Sequence, residues 1–274
     1  MTVSRSRIET ACSLLFVPGD RPDRFTKAAA SGADLIIIDL EDAVAEPDKH
    51  DARENAAEWL AKGADALIRI NPPGTPESDR DAEMAARWAA PVMVPKSEDP
   101  AALSDLVCRS GGRSLLVPLI ETAVGVERAM EVCATVGAVR AAFGNVDLAG
   151  HLGVAHDDHL ALAYARSKLV CASAAAGMCP PVDGVSTGVR DTAALTADLV
   201  HARRLGFTGK LCIHPAQVAS VAAHFAPSEA EVAWARSVLA VGESVTVVDG
   251  HMVDKPMLER ARRIRDVVLR SAEG

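Results

Sequence analysis

Polar residues recur at one place in the sequence pattern: the carboxyl ends of short apolar runs. ADLIIIDLED (33–42) closes on Asp39, Glu41 and Asp42, and DALIRIN (65–71) on Arg69 and Asn71. APVMVPK (90–96) closes on Lys96, SLLVPLIET (114–122) on Glu121, VRAAFGNVDL (139–148) on Asn145 and Asp147, and GKLCIHP (209–215) on His214. A purely structural sheet gains nothing from such groups, because a buried charge is costly unless paired. Glu121 and Asp147 are the strongest candidates for chemistry. Two carboxylates from neighbouring runs, with the acids at 39, 41 and 42 close by, suit a hard cation. Mg2+ takes one or two protein carboxylates and leaves its other positions to water and substrate. The alternative is that these acids form salt bridges with Arg69 and Lys96. The Arg69 guanidinium is also well shaped to hold a carboxylate or an enolate oxygen. No His/Cys cluster has zinc spacing.

A second group of charges lies in FVPGDRPDRFTKAA, where Arg21, Arg24 and Lys27 follow a Pro-Gly turn at the start of a helix. Cations there oppose the helix dipole. A phosphate-bearing ligand would explain them, and so would a solvated face. Three other motifs are weak. GVSTG (184–188) has the spacing of a nucleophile elbow around Ser186, but no acid-then-histidine order follows it. TGK (208–210) lacks the rest of a P-loop, and GHLG (150–153) the rest of a dinucleotide fingerprint.

The elements that must position these groups follow from alternation. With SLLFVPG (13–19) and PPVDGVS (180–186), eight short apolar runs alternate with longer Ala-rich amphipathic stretches. Continuous apolar runs suit strands covered on both faces by helices. Eight βα units predict a closed (β/α)8 barrel, with an open doubly wound sheet as the fallback. The expected domains are a barrel over 1–222 and a C-terminal extension over 223–274. In the extension, PSEAEVAWARSVLAV (227–241) predicts a helix with Ser228 and Glu231 as its capping box. VVDGHMVDKPMLERA (247–261) comes next and leads into a last basic helix, KPMLERARRIRDVVLRS.

Of 274 residues, 49% are hydrophobic, and 29 basic against 37 acidic residues give a net charge of −8. That balance argues against a nucleic-acid surface. No window approaches a membrane span, and the first residues lack a signal-peptide core, so no membrane partner is expected. Six cysteines form no CxxC pair, which suits free thiols in the cytoplasm.

Together, FVPGDRPDRFTKAAASGADLIIIDLEDAV, RIN, PK, IET, FGNVDLA, GFTGKLCIHPAQV and VVDGHMVDKPMLERAR resemble the HpcH/HpaI aldolase and citrate lyase beta-chain family across nearly the whole chain. Within it the chain looks like the acyl-CoA lyases. The resemblance implies a (β/α)8 barrel, one Mg2+ per subunit and a CoA thioester substrate. It implies that Glu121 and Asp147 bind the metal and that Asp39, Glu41 and Asp42 support the metal's waters. Arg69 would touch the reacting oxygens. Phe16, Arg21 and Lys27 would hold the CoA-bearing part, and Val146, His214 and Pro215 would line the substrate pocket. The C-terminal piece would close a neighbouring subunit's site and bring an acid that falls here on Asp254. The chain departs from the family pattern at His151 and Phe16, positions that bear on acyl preference.

The expected reaction is reversible cleavage of a 3-hydroxy-3-carboxyacyl-CoA, such as malyl-CoA or citramalyl-CoA, to acetyl-CoA and a 2-oxo acid. The alternatives are a citryl-thioester lyase (the beta subunit of citrate lyase), a malyl-CoA thioesterase and a catalytically silent CoA-binding subunit. The strand ends supply metal and oxyanion groups but no acid for the enolate carbon. Asp254 fills that vacancy if the tail folds over a barrel mouth, so a homo-oligomer with shared active sites, a trimer or hexamer, is expected.

Overall fold

The computed structural model describes residues 3–240, 246–248, 251–253 and 255–271. It divides into two compact units, Met1–His224 and Phe225–Gly274. The first is a closed barrel of eight parallel strands in chain order. They are β1 (Ser13–Pro18), β2 (Leu35–Asp39), β3 (Leu67–Arg69), β4 (Val92–Val94), β5 (Leu116–Ile120), β6 (Ala142–Phe143), β7 (Val182–Asp183) and β8 (Gly209–Cys212). Closure is made by β1 against β8, with Leu14 opposite Leu211.

Alternation along each strand sets which side chains fill the barrel. Leu14, Leu35, Ile37, Leu67, Met93, Val117, Leu119, Ala142, Val182 and Leu211 make the interior. The residues between them, such as Leu15, Ile36 and Ile38, are also buried. Both faces are therefore covered, which explains the unbroken apolar runs.

A short helix with no periodic signal in the sequence, Arg5–Thr10, closes the amino end of the barrel. Its Ile8, with Val3 and Ala11, joins the interior cluster. Arg140, 1% exposed, ties this plug to the barrel. Its guanidinium donates to Ile8 O (2.9 Å), Ala11 O (2.5 Å), Pro180 O (2.9 Å) and Thr208 Oγ1 (2.9 Å).

The 139–148 run is shorter as a strand than its sequence implied. Only Ala142–Phe143 pair as β6, and Asn145–Leu152 is a helix. Asp147 thus stands on the first turn of a helix and not on a strand end. The local reason is Gly144, which lies hard against the end of β5. A Cβ there would fall 2.5 Å from Glu121 Cβ, so the chain must turn away at a residue with no side chain.

The second unit holds helices Glu229–Ala240 and Lys255–Ser271 and an antiparallel pair, β9 (Thr246–Val248) and β10 (His251–Val253), with Val248 opposite His251. The helices pack through Ala235, Val238, Leu258 and Ala261. The expected capping box is present: Glu231 N–H donates to Ser228 Oγ (3.2 Å), and Ser228 N–H to Glu231 Oε2 (2.9 Å). Asp249, Gly250 and Asp254 lie outside the described residues.

Candidate active site

A cavity of about 380 Å3 opens at the carboxyl ends of the barrel strands. Of the residues singled out in the sequence, Phe16, Asp39, Asp42, Arg69, Glu121, Asn145, Val146 and Asp147 line it. The carboxyl end is where (β/α)8 barrels place their active sites.

The charged groups converge in two tiers. Asp39, 1% exposed, receives both arms of the Arg69 fork: Nε to Oδ1 at 2.7 Å and Nη2 to Oδ2 at 2.5 Å. Arg69 also lies 3.1 Å from Glu41 and 3.5 Å from Asp42, and its guanidinium sits over the Phe16 ring at 4.8 Å. Burial works to lower the Arg69 pKa, but Asp39, with Glu41 and Asp42 behind it, outweighs burial and holds it above its ordinary value. Arg69 is therefore a fixed positive charge. Its orientation is set before any ligand arrives.

The second tier surrounds Glu121, 3% exposed. Lys96 N–H donates to Glu121 Oε1 at 2.8 Å. Lys96 has a left-handed backbone with φ of +46°, a conformation that favours glycine and that clusters at functional sites. The Lys96 ammonium reaches Glu41 at 2.7 Å and Asp147 at 3.6 Å. No ion pair reaches Glu121 among the described residues. Burial, and then repulsion from Glu41 and Asp147, push its carboxyl up to about 8, against the pull of the Lys96 N–H. Burial also raises Glu41, opposed by Arg69 and Lys96; Glu41 Oε2 faces the Arg69 guanidinium at 3.1 Å but accepts no hydrogen bond among the described residues.

This arrangement fits a hard cation. Glu121 and Asp147 offer oxygen ligands, the first buried and without an ion pair among the described residues, with a third carboxylate, Glu41, behind them. No cluster of three or more metal-ligating side chains occurs among the described residues. A Mg2+ site does not need one, since water and substrate complete its shell. The salt-bridge alternative holds for Asp39, Asp42 and Glu41, which pair with Arg69, and for Asp147, which pairs with Lys96, but not for Glu121.

Other polar residues, at the rim of the cavity and behind it, act as braces. Asn71 is 3% exposed and donates to Leu40 O (3.0 Å) and Asp81 (2.7 Å). Lys49, which has no signature in the sequence, donates to Leu40 O and Glu41 O, both at 3.0 Å, and fixes the exit of β2. Asn145 spans two exits. Its amide donates to His156 O (3.1 Å) and Val185 O (3.0 Å) and accepts from Val185 N–H (2.9 Å). The turn that carries Asp147 is thereby tied to the segment after β7.

The first loop stands apart from the cavity lining. Arg21 forms a two-pronged pair with Asp23 at 2.9 and 2.8 Å, and Lys27 is exposed. His214 and Pro215 are exposed beside the lining residue Ile213, and His214 Nδ1 accepts the Ala216 N–H at 3.1 Å. The GVSTG motif gives no nucleophile. Ser186, 6% exposed, donates to Asp198, and His159 Nε2 lies 2.8 Å from the same carboxylate. With the acid between hydroxyl and imidazole, the histidine cannot take the serine proton.

An eight-stranded parallel barrel with carboxylates, a locked arginine and a lysine gathered at its carboxyl end is an enzyme scaffold. The HpcH/HpaI aldolase/citrate lyase family profile matches residues 12–215. This chain belongs to that family. A citrate lyase subunit beta-like protein of Mycobacterium tuberculosis is 37% identical over 257 residues, covering 90% of this chain and 92% of that one. A (3S)-malyl-CoA thioesterase of Cereibacter sphaeroides is 35% identical (92% of each chain), and an L-malyl-CoA/beta-methylmalyl-CoA lyase of the same species 33% (94% and 93%). Among solved structures, CitE of M. tuberculosis in complex with magnesium, acetoacetate and coenzyme A superposes with a TM-score of 0.78 at 33% identity. It covers 95% of this chain and 99% of that one. No helix among the described residues is long and apolar enough to cross a membrane.

Proposed function

We propose that this chain is a Mg2+-dependent acyl-CoA lyase that reversibly cleaves a 3-hydroxy-3-carboxyacyl-CoA, such as malyl-CoA or citramalyl-CoA, to acetyl-CoA and a 2-oxo acid. The observation that carries the reading is Glu121: a buried carboxylate with no ion pair among the described residues, lining with Asp147 a cavity at the barrel mouth. Glu121 and Asp147 would hold the metal, and Glu41 would orient its waters with Asp39 and Asp42. When bound, Mg2+ would polarise the carboxylate and hydroxyl oxygens that become the 2-oxo acid.

The chain's own residues do the rest. As the carbon–carbon bond breaks, the hydroxyl proton leaves to water and the electron pair passes to the thioester enolate. Arg69, locked by Asp39, presents fixed positive charge to the developing oxyanion without reorganising. Asp254 then gives a proton to the enolate carbon, and takes one from the acetyl methyl group in the reverse direction. We assign Asp254 to the mouth of a neighbouring subunit, which makes the working unit a homo-oligomer with shared sites, a trimer or hexamer. Phe16, Arg21, Lys27, Val146, His214 and Pro215 are assigned to the CoA thioester. Six free cysteines suit the reducing cytoplasm in which we place the protein.

The test is mass spectrometry of products from malyl-CoA and citramalyl-CoA, with Mg2+ and with EDTA. Acetyl-CoA plus glyoxylate or pyruvate, lost in EDTA, is the expected result. Free CoA with intact malate would instead make the chain a thioesterase, the activity named for one of its 35% identical relatives. Cleavage of a citryl carrier-protein thioester alone would make it a citrate lyase beta subunit, and no turnover a silent CoA-binding subunit.

A further inference from the structure

The cavity is chemically lopsided. Its acids and Arg69 come from the exits of β2, β3 and β5 and from the turn after β6. The β7–β8 side presents Val185, Leu211 and Ile213, beside Asn145, whose carboxamide is taken up by the Val185 backbone. This asymmetry bears on the one substituent that the proposed reaction leaves undefined, and its meaning for specificity rests on the lyase reading.

The carbon that becomes the oxo carbon is tetrahedral in the substrate and carries four groups. The hydroxyl and the carboxylate belong at the Glu121–Asp147 end, where the proposed metal takes their oxygens. The thioester arm must leave through the open mouth, because a CoA moiety exceeds a cavity of about 380 Å3. The fourth group is left to face the apolar side. We propose that Val185, Leu211 and Ile213 determine substrate specificity by admitting hydrogen or a methyl group there and rejecting a second carboxylate.

The charges around the cavity agree. Among the described residues Arg69 is its only basic lining residue, and Asp39 already takes both arms of that fork. Lys96 is held by Glu41 and Asp147. Lys210 adjoins Leu211 but is 1% exposed and paired with Asp183 at 3.1 Å. His214 uses Nδ1 to accept a backbone N–H. A carboxymethyl substituent would meet an apolar wall with no cation among the described lining residues free to pair with it, and four acids of its own sign line the same cavity. Hydrogen or methyl loses nothing against that wall, and methyl gains contact. The chain's oxo acid is accordingly glyoxylate or pyruvate rather than oxaloacetate.

The test is calorimetric titration of the full-length protein with pyruvate, 2-oxobutanoate and oxaloacetate, with and without Mg2+. 2-Oxobutanoate controls for size, since it replaces the distal carboxylate of oxaloacetate by a methyl group. Pyruvate and 2-oxobutanoate should bind in a Mg2+-dependent way, about tenfold or more tighter than oxaloacetate, the cost of one unpaired polar group. Ile213, 38% exposed, tolerates a charge without disturbing the core. Ile213→Lys should narrow or invert the ratio. Oxaloacetate binding as tightly as pyruvate in wild type would overturn this inference and leave the lyase reading standing. Failure of every 2-oxo acid to bind in a Mg2+-dependent way would remove both.

Discussion

Replacing Glu121 by Gln in the metal-free protein should make the fold less sensitive to alkali. Glu121 has its carboxyl pushed from 4.5 to about 8, chiefly by burial. A carboxylic acid whose folded pKa lies above its unfolded one binds its proton more tightly in the folded state. Its contribution is therefore most favourable below pH 4.5, and stability is lost as pH rises toward 8. Three and a half units at 1.36 kcal/mol each give about 5 kcal/mol. Glutamine does not titrate, yet it can still accept the Lys96 N–H. The stability difference between Glu121→Gln and wild type should thus grow by about 3–5 kcal/mol between about pH 5 and about pH 8.5. Urea unfolding in EDTA at several pH values measures it, and the other carboxylates largely cancel because both proteins carry them. Saturating Mg2+ at the alkaline end should restore wild type but not the variant. A difference that stays flat with pH would refute the account of Glu121 as a buried acid awaiting a cation.

Asp254→Ala should retain Mg2+ and CoA binding and lose most turnover; mixing it with inactive Glu121→Ala subunits should recover activity, and no recovery would argue against shared sites. Asn145→Ala removes three hydrogen bonds, two from the Asp147 turn to the segment after β7 and one to His156 O. We expect a loss of about 2–4 kcal/mol in chemical denaturation and about tenfold weaker Mg2+ binding by calorimetry. Ser186→Ala should cost about 1 kcal/mol and leave acyl-CoA cleavage intact, since its hydroxyl only donates to Asp198.

Much of the architecture is legible in the sequence because parallel strands buried on both faces cannot alternate. They must read as apolar runs, and β1 to β8 all fall within the eight runs. Where legibility ends, a local signal is overruled or missing. Asn145–Leu152 continues an apolar run, so its helix is hidden until Gly144 is seen pressed against Glu121. Arg5–Thr10 is too short and too polar to show helical periodicity, and only its burial reveals it. The strand-end pattern finds Asp39, Arg69 and Glu121 in the cavity, but it cannot separate ligands from braces. Asn71 and Asn145 carry the same signal as the acids and turn out to hold backbone. Lys49 carries no signal at all, since one lysine at the start of a helix looks like any other. The lopsided wall is equally invisible, because Val185 and Ile213 look like ordinary strand residues until the barrel closes.

Arg140 ties the history of the chain to its architecture. Its guanidinium has no carboxylate partner among the described residues; it is neutralised by carbonyl dipoles from the first helix and by groups beside β7 and β8. Those segments are the earliest and the latest parts of the barrel to leave a ribosome. Neither satisfies Arg140 alone, so the floor and the entry to the last strand share one buried guanidinium. A chain halted before Thr208 would keep the carbonyls of Ile8, Ala11 and Pro180 for Arg140 and lack both the Thr208 hydroxyl and the strand that closes the barrel.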